Sequence, residues 1–90
     1  MLAKRSDFVI DLKTAYDIAN NFFLENNYAG VFEIRESNKS WLFEGMCHRA
    51  QYGCSEICVP KNGDAPYLFN IRMDEGFKMW ESAKEIKYKA

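Results

Sequence analysis

What this 90-residue sequence lacks narrows its reading quickly. Two prolines and five glycines are too few for a collagen-like or low-complexity chain. No apolar run approaches the roughly 20 residues of a membrane-spanning helix. Near the start, Met1-Leu2-Ala3-Lys4-Arg5-Ser6-Asp7 leads only into Phe8-Val9-Ile10, too short a core for a secretion signal. A cytoplasmic setting is therefore expected. Charge of one sign is also missing: 12 basic and 13 acidic residues leave a net charge of −1, so no strong field draws the chain to nucleic acid or anionic lipid. Histidine occurs once and cysteine three times. An odd cysteine count does not suit a disulfide scaffold, and three reduced thiols packed as small apolar side chains are the expectation. There is no glycine-rich phosphate loop, no paired-histidine helix motif and no nucleophile elbow. The chain is thus not expected to be an enzyme or to carry a cofactor.

What is present suits a packed core. The sequence is 48% hydrophobic and 16% aromatic, with seven Phe, five Tyr and two Trp. Large side chains let a short chain bury much area per residue, and such a composition excludes a disordered chain. The length fits one domain, residues 1–90.

Turn-forming residues divide the chain regularly. Over Asp11 to Asn26, Leu12, Ala15, Tyr16, Ala19, Phe22 and Phe23 recur on one helical face. Asp11 suits the N-cap, and Asn26-Asn27 suits the stop. Val31 to Glu36 reads as a strand with Phe32 and Ile34 on one face and Glu33 and Arg35 on the other. A polar turn over Ser37 to Ser40 predicts an antiparallel return through Trp41 to His48. There Trp41, Phe43 and Cys47 share a side opposite Leu42, Glu44, Met46 and His48. A third strand is expected over Glu56 to Pro60 and a fourth over Tyr67 to Arg72, joined through the Asn62-Gly63 turn signal. Met73 to Tyr88 reads as a second helix, with Phe77, Trp80, Ala83 and Ile86 on one side. Gly76 in its first turn is out of place. The fold class is therefore α+β: an N-terminal helix, an antiparallel meander of about four strands and a C-terminal helix. Phe22, Phe23, Trp41, Phe43, Ile57, Val59, Phe69 and Trp80 are expected to be the most buried residues.

Four readings of the residues bear on chemistry. Cys47, His48, Cys54 and Cys58 offer four soft ligands, the number zinc takes, or the parts of a thiol-dependent activity. Their spacing argues against both, since Cys47 and His48 adjoin and so face opposite ways on a strand. Phe32, Trp41, Tyr52 and Tyr67 beside Arg35, Arg49 and Arg72 could stack nucleic-acid bases, but aromatics on short strands are usually core. A small-ligand accessory domain is a further class. The fourth grouping is a protein-binding surface: the sheet carries more apolar residues than one core face needs. Met46 and Leu68 would form its centre, and Glu33, Arg35, Glu44 and Glu56 its charged rim. This reading requires that the second helix leave that face open.

A helix ending near Asn26, then a strand, Trp41-Leu42-Phe43-Glu44, Tyr52-Gly53, Ile57-Cys58-Val59-Pro60-Lys61 and Asn62-Gly63 follow in order. Over about Leu12 to Phe69 this resembles the small bacterial immunity domains of the YrhB-like type (immunity protein 35). The resemblance implies a bacterial protein without enzymatic activity whose partner is a toxin that it neutralises. It gives no catalytic residues to carry over.

Overall fold

The structure, a computed structural model, describes residues 9–48, 53–71 and 73–88, the side chains of residues 53 and 54 excepted. Helix α1 spans Leu12–Glu25. Its start is fixed where Asp11 Oδ1 accepts a hydrogen bond from the Thr14 amide at 2.9 Å, which satisfies one of the free amides of the first turn. Its end comes at Asn26, followed by Asn27 at φ 69°, a left-handed conformation that asparagine adopts more readily than most residues. Ala15, Ala19 and Phe23 form its buried stripe.

Strands β1 (Val31–Glu36), β2 (Ser40–Met46), β3 (Gly53–Pro60) and β4 (Tyr67–Phe69) follow, then helix α2 (Asp74–Ser82) and strand β5 (Lys84–Ile86). They form one five-stranded sheet in the order β4-β3-β2-β1-β5, antiparallel at all four pairings. The α+β class with a helix at either end of an antiparallel sheet is as expected, with one strand more.

That extra strand is the main correction. The helical spacing of Phe77, Trp80 and Ala83 continues to Ile86, but the helix stops at Ser82 and Ala83 is extended, at φ −87° and ψ 153°. Lys84–Ile86 then pair with the outer edge of β1, Glu36 opposite Lys84 and Ile34 opposite Ile86. An otherwise bare row of β1 backbone groups gains partners this way, which outweighs extending a nine-residue helix. The change also moves Ile86 across the sheet: Trp80 and Ala83 belong to the core under α2, and Ile86 packs against the core under α1.

The sheet is covered on both faces. Under α1, Ala15, Ala19 and Phe23 meet Ile34, Trp41, Phe43, Ile57 and Val59. Gly45 is needed here, because a Cβ at that position would stand 2.7 Å from the Phe23 ring. Trp41 ties in the segment before α1, donating from Nε1 to the Ile10 carbonyl at 2.8 Å, and Lys61 lies 4.6 Å from its ring centroid. Under α2, Leu42, Cys58, Trp80 and Ala83 form a second, smaller core. Gly76 has its place there: a side chain would collide with the Asn70 backbone carbonyl, so the first turn of α2 seats closely on the loop after β4. Of the expected core, Phe23, Trp41, Phe43, Ile57, Val59 and Trp80 are buried, whereas Phe22 and Phe69 are half-buried.

Other boundaries shift modestly. β2 ends at Met46, leaving Cys47 and His48 outside it, β3 begins earlier, at Gly53, and β4 is only three residues long. Arg49, Tyr52 and Arg72, together with the Met1–Phe8 stretch, lie outside the described residues.

Candidate functional site

The candidate surface is the sheet face on the α2 side. Strand register builds it. Glu33 lies opposite Glu44, Glu44 opposite Glu56, and Glu56 opposite Phe69. Residues directly opposite on adjacent antiparallel strands project from the same face with Cβ atoms about 5 Å apart. Three carboxylates thus cross β1, β2 and β3 in one row. The adjacent row is Arg35, Leu42, Cys58 and Tyr67, and it is there that α2 packs, through Trp80. The acid row lies one register step beyond that contact, and Glu33, Glu44 and Glu56 are all half-buried.

Electrostatics follow from this geometry. Glu44 sits in the middle. Burial pushes its carboxyl above the usual carboxylate range, and the charges of Glu56 and then Glu33 push the same way, against the opposing pull of Arg35. Arg35 makes three contacts. Its Nε donates to Glu33 Oε2 at 2.8 Å, its Nη1 donates to the Trp80 carbonyl at 2.9 Å, and its guanidinium stands 4.6 Å from the Trp80 ring centroid. It clamps α2 to β1 and neutralises one end of the row. Met46, half-buried, lies beyond Glu44 on the same strand, after an irregularity in the β2–β3 register.

Five of the six residues expected at the surface are therefore brought together: Glu33, Arg35, Glu44, Met46 and Glu56. Leu68 is not. It pairs with Ile57, which pairs with Phe43, so it projects on the α1 side. Alternation within β4 was readable. Which face each parity belonged to depended on the β3–β4 register, which the six residues between those strands do not announce. Met46 and Leu68 cannot share one apolar centre.

The cysteines also depart from expectation. Cys47 is disulfide-bonded, so it is not a reduced thiol, and its sulfur is not free to ligate zinc or attack a substrate. Cys58 is free and fully buried. His48 is exposed. Among the described residues no three His, Cys, Asp or Glu side chains converge to hold a metal.

One contact was not anticipated. Tyr67 faces Cys58 across β3 and β4, and the hydrogen bond to that thiol, with partial burial, pushes the phenol up to about 12. Nothing in the local sequence marks this pair, because it exists only through register.

Three cavities, of about 420, 300 and 360 Å³, open elsewhere: beside Glu36, Lys61 and Lys84; beside Tyr16, Phe32 and Tyr88; and beside Tyr67, Met73 and Met79. The acid row touches these three only at Glu33, which borders the second. It lies on a surface rather than in a cleft, a setting for contact with a large partner more than for enclosing a small substrate. No family model, curated protein or solved structure matches this chain.

Proposed function

We propose that the domain is a non-catalytic protein-binding module and that the acid row is where it receives a cationic partner. One observation carries the reading. Three glutamates from three strands stand in register on one sheet face, one register step beyond the place where α2 packs through Trp80. Like charges directly opposite one another destabilise a sheet, and Glu44, in the middle, has its carboxyl pushed up by burial and by the charges of both neighbours. A Lys or Arg side chain laid along the row would relieve the repulsion around Glu44. Met46 adds an adaptable apolar contact at one end, and Arg35 holds Glu33 in place at the other.

The more specific form of the reading is a bacterial immunity protein that neutralises a toxin. It rests on the resemblance through Trp41-Leu42-Phe43-Glu44 and the segment Val59 to Gly63. This reading includes a cytoplasmic setting. The Cys47 disulfide pulls the other way, since such bonds persist mainly in oxidising compartments. Thiol alkylation of protein taken directly from cells decides between the two.

The test uses the product of the adjacent gene as partner. Its association rate is measured with the unaltered domain and with Glu44→Arg combined with Glu56→Arg. Electrostatic steering of this kind changes association rates by about tenfold or more at low salt. The double variant should bind correspondingly more slowly at low salt, and the difference should fade as salt rises. Equal rates at low salt for a partner that does bind would remove the acid row from the interface.

A further inference from the structure

We propose that the cavity beside Tyr16, Phe32 and Tyr88 is a binding site for a small organic cation whose charge sits on an alkylated nitrogen. Topology opens the site. β5 pairs with β1 only as far as Ile86 opposite Ile34. Beyond that pair a cavity of about 300 Å³ opens between residues 31–33 of β1 and residues 87 and 88, which follow β5. This volume is at the lower end of the range for small-ligand sites. Tyr16, from α1, lines the same cavity, its ring centroid 5.0 Å from that of Tyr88. Phe32 comes from the β1 wall. It is the residue passed over where the β1–β2 register shifts between Val31 and Glu33, and such an irregularity re-aims a side chain. Phe32 belongs to neither core and is 44% exposed.

The lining decides the ligand. Three aromatic side chains border one small space, and the negative face of an aromatic ring attracts a cation within about 6 Å. The charged groups of the lining are Glu33, Glu85 and Lys87, two carboxylates to one ammonium, so an anion is disfavoured. The Lys87 side chain is 91% exposed and meets Glu85 only at 3.4 Å, a pair of little strength in water. An incoming cation can displace it. Arg35 is directed away, to the Trp80 carbonyl and ring as well as to Glu33. The rings and the aliphatic Val31, Ile34 and Ile86 offer N–H groups no conventional acceptor. A nitrogen that carries alkyl groups therefore enters at less cost than one that carries hydrogens. Glu33 is held by Arg35, and the proposal does not depend on what the acid row binds.

Nuclear magnetic resonance titration tests it on the full chain, following the backbone amides of Phe32 and Glu85. Three probes are compared at constant ionic strength. They are choline, its neutral analogue with a tert-butyl group in place of trimethylammonium, and ethanolamine, which keeps the charge but carries N–H groups. Choline should bind in the millimolar range. It should bind more tightly than the neutral alcohol by about three- to thirtyfold, the span of one cation–aromatic contact, and more tightly than ethanolamine. Phe32→Leu keeps the apolar bulk and removes the ring. It should weaken choline by about threefold or more and leave the neutral alcohol unchanged. Phe77→Leu, at an exposed ring outside the cavity, should bind choline like the unaltered chain. Circular dichroism checks that both variants are folded. Choline that shifts neither amide up to about 100 mM would overturn the proposal. So would equal affinity for choline and either other probe, choline binding unchanged in Phe32→Leu, or its loss in Phe77→Leu.

Discussion

Replacing Glu44 by Gln should stabilise the free domain, unlike most changes at half-buried positions. Glu44 faces Glu33 on one side and Glu56 on the other. Each like-charge pair directly opposite destabilises a sheet by roughly 0.2–1 kcal/mol. Arg35, 2.8 Å from Glu33, offsets part of one pair, and solvent screens both because the side chains are not fully covered. The isosteric amide removes both repulsions and can donate a hydrogen bond to either neighbour. A gain of about 0.5–1 kcal/mol follows, or about 3–6 °C in Tm for a domain of this size. The pH dependence has a definite sign. Glu44 holds its proton more tightly when folded than the ordinary value of 4.5 allows. Its contribution to stability is fully present below that value and is lost as pH rises through the folded value. The advantage of Glu44→Gln should therefore be largest near neutral pH and close as pH falls toward 4.5. Thermal unfolding of both proteins across that range, followed by circular dichroism, measures it. A loss of stability at neutral pH, or a gap that does not change with pH, would refute the idea that the acid row is strained.

Two further outcomes are expected. Trp80→Ala removes the ring that meets Phe69 at 6.2 Å between centroids and carries the Arg35 guanidinium; it should cost about 3–5 kcal/mol, read as a fall in the urea midpoint with Trp41 fluorescence as probe. A cost under about 1 kcal/mol would mean that α2 is held by something else. Tyr67, with its phenol pushed up to about 12, contributes stability that is present below its ordinary value of 10.0 and lost as pH rises from there through the folded value. Tyr67→Phe should flatten that alkaline loss, and Cys58→Ala should return the phenolate titration, followed by ultraviolet absorbance, toward the ordinary value. An unmoved titration in Cys58→Ala would separate the shift from the thiol.

The parts of this fold that were legible in the sequence are those set by local chemistry. α1 declared itself through the spacing of Ala15, Ala19 and Phe23, with Asp11 to begin it and Asn27 to end it. Alternation placed Glu33 with Arg35, and Glu44 with Met46, on shared faces because the hairpin between β1 and β2 is tight: the Ser37 amide donates to the Ser40 carbonyl at 2.9 Å. Properties set by distant pairing were hidden. Ile86 keeps helical spacing with Trp80 and Ala83, yet the open edge of β1 claimed it as a strand residue. Leu68 alternates correctly within β4 and still falls on the face opposite Met46, because the β3–β4 register is not written in either strand. The Cys47 disulfide was missed for a different reason: an odd cysteine count argues against a scaffold of bridges but not against a single one.

The acid row sits between these two cases. Each glutamate was singled out from its own strand as an outward carboxylate, but that they would stand in one line required two registers at once, Glu33 to Glu44 and Glu44 to Glu56. Elsewhere the pairings favour the fold. Phe43 faces both Ile34 and Ile57, Trp41 faces Val59, and Glu36 is met by Lys84 across the strands and by Lys61 from the turn. A lysine or threonine at position 44 would have made the middle of the sheet consistent with that pattern at no cost in packing, since no core residue of either cluster is replaced. Where local choices throughout a small domain agree with its fold, the proposed function assigns a row of like charges to what the surface must meet. In that proposal the partner brings positive charge on a body large enough to lie across three strands.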